Sequence, residues 1–418
     1  MRCAVDAGLD SCSSKRTSNE NYGRGRRVHI LTLIAGIACI FFALLDAFQT
    51  VILPRRATGR FRITRIFFEL TWGPWSWLAG RIQTERKRET MLSFYGPLSL
   101  VLLIVIWASA LIFGFALIYY ASGSPFIDPL GRTVGFRSDI YVSGTTLFTL
   151  GLGDVVPHQY FIRDLVILES GMGLGFVAMV IGYFPVLYGA FSRREVSISL
   201  LDARAGSPPT AVELLRRHAF EGGNAALVLL LEEWERWSAE LLESHISYPL
   251  LCYFRSQHTH QSWIGALTAI LDTCALLIAG VQEQPARQAQ LTFAMARHAM
   301  VDLAQIFSLD PVKDMPDRLP EKQFRLVYDQ MCQSGVKLCS DIHSAVRLRQ
   351  MRELYEGYAI ALSNYLCMPL PPWVAEHPYK DNWLSVARLR AEAESGTVPE
   401  AVPQDAHVVL FDEEHHTF

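Results

Sequence analysis

Three long apolar runs set the plan of the chain: residues 28–53, 91–121 and 165–191. Each meets the roughly 20 residues that a membrane-crossing helix needs, so each predicts one. After residue 195 the pattern changes. Apolar positions there recur at helical spacing between charged ones, which predicts amphipathic helices over residues 211–219, 224–244 and 285–307. One or two more fall within 321–366, and a last short one over 381–394. In the second of these, Leu227, Leu230, Leu231, Trp234 and Leu241 share a face, with Glu232, Glu233 and Glu235 around it. Strand-like alternation is nearly absent from residues 196–418. The predicted fold class is an all-α membrane protein with a helical soluble domain over 196–394.

Between these elements lie segments of other character. Residues 1–27 are polar and basic and lack the apolar core and cleavage site of a signal peptide, so they predict a disordered tail, as do residues 395–418. Residues 54–90 carry Arg55, Arg56, Arg60, Arg62, Arg65, Arg81, Arg86, Lys87 and Arg88, which places this loop on the cytoplasmic side. Within it, residues 66–80 hold Glu69, Trp72, Gly73, Pro74, Trp75 and Trp77. That stretch is short for a span and predicts an interfacial amphipathic helix, with a re-entrant segment as the alternative. Residues 264–281 are apolar around Asp272; the carboxylate and two threonines favour a buried bundle helix over a fourth span. Arg193 and Arg194 end the third run, which makes the C-terminal domain cytoplasmic. The expected location is the plasma membrane, the inner one in a bacterium. The tail before residue 28 then lies outside, against the bias of its own arginines and lysine.

Composition narrows the function. Half of the residues are apolar and the formal net charge is −3, which does not suggest nucleic acid. Eight cysteines are scattered without Cys-x-x-Cys, so neither a disulfide framework nor a metal site is expected. His258 and His260, with His245 nearby, lack an acidic or cysteine partner at helical spacing and read as surface histidines. No nucleophile–base pair or phosphate loop is visible, so no enzyme and no organic cofactor is expected. Gly171-x-Gly173-x-Gly175 follows no strand and lies inside an apolar run, which rules out a dinucleotide fingerprint. No run carries Arg or Lys at every third position, as a voltage sensor would. Asp46, inside the first run, must face protein or water; capping near the headgroups or pairing with Arg55 or Arg56 is preferred to a role in gating.

The remaining stretch, residues 143–157, reads Ser-Gly-Thr-Thr-Leu-Phe-Thr-Leu-Gly-Leu-Gly-Asp-Val-Val-Pro between the second and third runs. A dehydrated cation needs a ring of oxygens to replace its water, and backbone carbonyls serve if successive ones face one axis. Gly151 and Gly153 reach the unusual angles this requires without a Cβ penalty. A short helix over residues 139–148 would aim the negative end of its dipole at the same place. Non-helical backbone at membrane depth is tolerated only where protein or a water path surrounds it.

This stretch resembles the pore helix and selectivity filter of potassium channels, the Thr-x-Gly-Tyr/Phe/Leu-Gly-Asp pattern, and the resemblance covers about residues 92–195. It implies a pore unit over 91–195, with an outer helix, a turret loop over 122–137 and a pore-lining inner helix. It implies a homotetramer, with potassium ions at the carbonyls of Thr149, Leu150, Gly151 and Leu152, and Asp154 at the outer mouth tethering the filter to its pore helix. Thr146 and Glu169 become candidate supports of the filter, with simple exposure to the outer vestibule as the other reading of Glu169. Gly175 or Gly182 becomes the gating hinge, with close helix packing as the other role. Leu152 stands where the best-known potassium filters carry Tyr, which leaves potassium-over-sodium selectivity open. The alternatives are a non-selective cation channel, or a non-conducting membrane-anchored signalling or scaffold protein with a pore-like fold.

Overall fold

The computed structural model describes residues 6–52, 63–220, 222–257, 260–281, 286–313, 317–336 and 342–374. Its helices are α1 (Asp6–Val51), α2 (Ile63–Gly80), α3 (Glu85–Ala121), α4 (Phe136–Leu147), α5 (Tyr160–Ala205), α6 (Ala211–Arg217), α7 (Gly223–Ser247), α8 (Trp263–Gly280), α9 (Ala286–Ile306), α10 (Glu321–Gln333), α11 (Ile342–Glu353) and α12 (Glu356–Leu366), with a 3-10 turn at Pro249–Tyr253. Two short strands, β1 (Phe126–Ile127) and β2 (Val156–Pro157), pair antiparallel, Phe126 opposite Pro157. The protein is thus an all-α membrane protein. Four helices among the described residues are long and apolar enough to cross a membrane: Arg27–Val51 within α1, α3, α5 and α8.

The chain forms two compact units. The first comprises Met1–Trp75 and Pro97–Tyr188, the second Ser76–Gly96 and Gly189–Phe418.

In the first unit α1 and α3 meet glycine to glycine. A Cβ on Gly36 would lie 2.7 Å from the Gly114 carbonyl oxygen, and one on Gly114 would lie 3.1 Å from that of Gly36. Small residues at such a crossing let backbones approach within the membrane. Below it, Asp46 is 4% exposed. Its carboxylate accepts from Trp107 Nε1 at 2.9 Å, from Thr64 Oγ1 at 2.6 Å and from the Thr64 backbone N–H, so it caps the start of α2 while holding α3. Arg55 and Arg56, the partners expected from sequence, lie outside the described residues. Asp46→Ala strands these donors, at about 1–3 kcal/mol for each one left buried. It should lower the detergent-solubilised unfolding temperature clearly more than Asp46→Asn does, which keeps an acceptor; equal, small shifts would refute this reading of the carboxylate.

The second unit is built around α8. Sixteen of its 18 residues are buried. Ser262 caps it, accepting from the Gly265 N–H at 2.9 Å. Asp272 is matched by Arg318 at 3.0 Å and by the Tyr355 hydroxyl. Arg318 also meets Glu356 at 3.0 Å, and Arg352 bridges Glu356 and Asp317. A paired and hydrogen-bonded carboxylate can stay buried where a lone one could not. Helix α7 packs on α9 and α8 on both α9 and α11. The five residues predicted to share the α7 face are all buried.

Several boundaries differ from the sequence reading. Helix α1 begins at Asp6, so most of the stretch read as a disordered tail is helical; no proline occurs before Pro54 to stop it. Residues 321–366 hold three helices, because Gly335 at φ +82° and a break at Leu354–Tyr355 divide the run. The pore unit expected over 91–195 gives up its ends: Met91–Gly96 and Gly189–Glu195 belong to the second unit. There Tyr95 meets Tyr253 (ring centroids 5.2 Å apart) and Phe191 meets Phe254 (5.6 Å). Glu89 pairs with Arg255 at 2.9 Å. The predicted helix at 381–394 and the tail at 395–418 lie outside the described residues. His245, read as a surface residue, is fully buried against Trp263, and His258 lies outside the described residues.

Candidate functional site

Helix α4 dips between α3 and α5 and ends in the Thr-Leu-Gly-Leu-Gly-Asp loop. Its start is held by Asp139, which is buried in the first turn and accepts from Ser124 Oγ at 2.7 Å. A carboxylate there also suits the positive end of the helix. Its middle is held by Ser143, whose hydroxyl lies 3.0 Å from the Ile112 carbonyl of α3 and hydrogen-bonds to Glu169 of α5. Glu169 is fully buried and accepts from the Tyr119 hydroxyl of α3 at 2.5 Å. One carboxylate therefore ties outer helix, short helix and inner helix together. The alternative in which Glu169 faces an outer vestibule does not describe this chain.

The end of α4 is held by an absence of side chain. A Cβ on Gly173 would lie 1.9 Å from the Leu147 carbonyl oxygen, so α5 passes the last turn of α4 backbone to backbone. The chain then leaves the helix tightly. The N–H of Thr149 donates to the Thr146 carbonyl at 2.9 Å and that of Leu150 to the Thr145 carbonyl at 2.8 Å. Thr146 supports the loop through its backbone, and its side chain is largely buried.

In the loop every second residue has positive φ: Thr149 at +57°, Gly151 at +52° and Gly153 at +74°, while Leu150 and Leu152 do not. Alternating backbone handedness turns successive peptide planes the same way, which is how a strip of backbone presents like groups on one side. A β-branched residue such as Thr149 in the left-handed region is strained and persists only where its surroundings impose it. The loop ends on Asp154, which accepts from the Tyr141 hydroxyl of α4 at 2.7 Å. Beyond it, β2 pairs with β1, and Phe126 packs edge-on against Tyr119 at 5.0 Å. Phe115, Tyr119, Phe126, Val142 and Ile162 form a small core there. Leu150 and Leu152 are both 63% exposed in the single chain.

The sequence placed residues 149–154 in one loop, and the structure does too. Gly175 and Gly182 lie inside an uninterrupted α5 with nothing within 4 Å of an added Cβ. The residues that sequence reasoning missed are Gly173, Ser143, Tyr119 and Tyr141. The repeated glycines at 171, 173 and 175 were the available signal for Gly173, but only the crossing partner tells the three apart.

Residues 101–187 match a protein family described as "Ion channel". The matched segment contains α4, the 149–154 loop and the Glu169 junction, so the chain carries an ion-channel pore domain. A curated relative, the uncharacterized membrane protein YdjJ of Bacillus subtilis (strain 168), is 24% identical over 326 residues, 77% of this chain and 90% of that protein. No solved structure matches the chain significantly.

Proposed function

We propose that four copies of this chain assemble around one axis as a cation channel that passes potassium down its gradient, without a chemical step. The observation that carries this reading is the alternating positive φ at Thr149, Gly151 and Gly153, immediately beyond a short helix whose C-terminal end is wedged against Gly173. In that assembly the carbonyls of Thr149, Leu150, Gly151 and Leu152 replace water around the ion. The C-terminal end of α4 favours a cation, and Asp154 adds negative charge at the mouth. The helical second unit lies on the cytoplasmic side of a plasma membrane and sets the open probability through the end of α5.

A second reading is a sodium-permeable pore. Leu152 has no hydroxyl, so its ring position cannot be fixed by a side-chain hydrogen bond as Tyr141 fixes Asp154. Purified protein in liposomes, loaded with potassium or with sodium, separates the two. Potassium efflux well above sodium efflux is expected. Equal rates select the second reading, and no efflux of either ion from correctly tetrameric protein removes conduction altogether.

A further inference from the structure

Within the second unit Arg194 ties the lower part of α5 to the segment that follows α7. Arg194 is 4% exposed. It donates to the Leu251 carbonyl at 2.9 Å and the Phe254 carbonyl at 2.8 Å, pairs with Glu195 at 2.9 Å and lies over the Phe191 ring. The same guanidinium meets His245 Nε2 of α7 at 3.2 Å. The other ring nitrogen decides what that contact is. Nδ1 lies 2.8 Å from the Leu241 carbonyl, which can only accept, so Nδ1 carries the hydrogen. In the neutral ring Nε2 then has a lone pair and accepts from Arg194. A second proton would have to sit on Nε2, pointing at a guanidinium.

No carboxylate among the described residues touches the ring to offset that charge. Arg194 and its partner Glu195 face it from α5, the uncharged Trp263 ring from α8 and Ser244 from its own helix. Cys252 of the 3-10 turn sits beside Arg194. Among the described residues no carboxylate hydrogen-bonds to the ring, and none of Arg287, Arg297, His298 or Asp302 of the neighbouring α9 does.

We propose that Arg194 and His245 form a proton-operated latch: protonation of His245 expels Arg194 from the Leu251 and Phe254 carbonyls and frees the lower end of the inner helix. This rests on the channel reading for its consequence, a change in ion flux with cytoplasmic pH, but not for the latch itself. Burial first, and then the Arg194 charge, hold the latched histidine well below its ordinary 6.5. The released histidine regains that ordinary value. The latched state is therefore at full strength above pH 6.5 and weakens as pH falls below it, with about tenfold change in the equilibrium per pH unit. Between pH 7 and pH 5 the shift is about 25-fold towards release for one proton taken up at 6.5.

The test is hydrogen–deuterium exchange of the full-length protein in nanodiscs from pH 7.5 to 5.0, corrected for intrinsic rates, alongside liposome flux over the same range. Exchange in residues 189–205 and 249–255 is expected to rise together below pH 6.5, with flux changing in step. His245→Gln keeps an acceptor for Arg194 without titrating and should be flat; His245→Asn serves if that variant does not assemble. Glu195 remains in both, so a response that survives in them belongs to the carboxylate and overturns the latch. So does wild-type exchange that stays constant, whatever the flux does. Exchange that rises while no cation crosses at any pH sustains the latch and sinks the channel reading instead.

Discussion

Gly173→Ala is expected to abolish flux. An alanine Cβ there lies 1.9 Å from the Leu147 carbonyl oxygen, 2.7 Å from its carbonyl carbon and 2.9 Å from its Cα. All three are backbone atoms, so no rotamer change relieves the overlap. Ordinary contact begins near 3.4 Å, and the shortfall from 1.9 Å means that α4 and α5 must part by about 1.5 Å. Overpacking of this kind costs about 1–3 kcal/mol. The larger loss is positional. Leu147 is the last residue of α4, and the turn that sets Thr149 and Leu150 hangs from the carbonyls just before it. Moving that turn moves every residue of the loop. The measurement is liposome flux together with the oligomeric state and unfolding temperature of the variant. Gly171→Ala, Gly175→Ala and Gly182→Ala meet nothing within 4 Å in the single chain and gain helix propensity. They should assemble and conduct, with altered opening kinetics marking whichever of Gly175 or Gly182 bends. Wild-type flux through Gly173→Ala would show that the crossing is looser than drawn here.

That contrast shows which parts of the protein the sequence made legible. The long runs and the α7 face follow from spacing alone, because a helix in lipid must satisfy its own backbone and a bundle helix must bury one side. Asp272 was readable as a charge that an apolar helix must match, although Arg318 and Tyr355, which make its burial possible, come from distant parts of the chain. The loop was readable because its Thr-x-Gly-x-Gly-Asp pattern stands between two membrane-length runs and resembles a known filter. Of its supports the resemblance named Glu169, but not its partners: Ser143 and Tyr119 sit on two other helices, and nothing in their types announces that one carboxylate joins them. Asp46 likewise shows its two roles, cap of α2 and anchor of Trp107, only once α1, α2 and α3 are folded together. The point where α3 and α5 pass from one compact unit to the other was hidden for a similar reason, since the apolar pattern runs on through it.

Gly151→Ala and Gly153→Ala are expected to remove conduction while leaving the oligomer intact. Neither added Cβ meets an atom within 4 Å, so the chain itself has room. The cost is conformational: φ is +52° and +74°, and a left-handed L-residue is disfavoured by about 1–2 kcal/mol. For one chain that is roughly a tenfold loss of the competent loop, since about 1.4 kcal/mol is a factor of ten. In the proposed ring of four, all four loops must be competent at once, and independent losses multiply to about ten-thousand-fold. Thr149 pays the same penalty in every wild-type chain, which is why a second such residue in the loop is poorly tolerated. Gly131→Ala supplies the control. It too has positive φ, +72°, with nothing within 4 Å, but it lies in the loop between β1 and α4. It should carry the same backbone cost and leave flux near wild type. If Gly131→Ala and Gly151→Ala reduce flux alike, the effect is general strain and the loop has no special claim to the ion. If both conduct normally, the carbonyl column is in the wrong place.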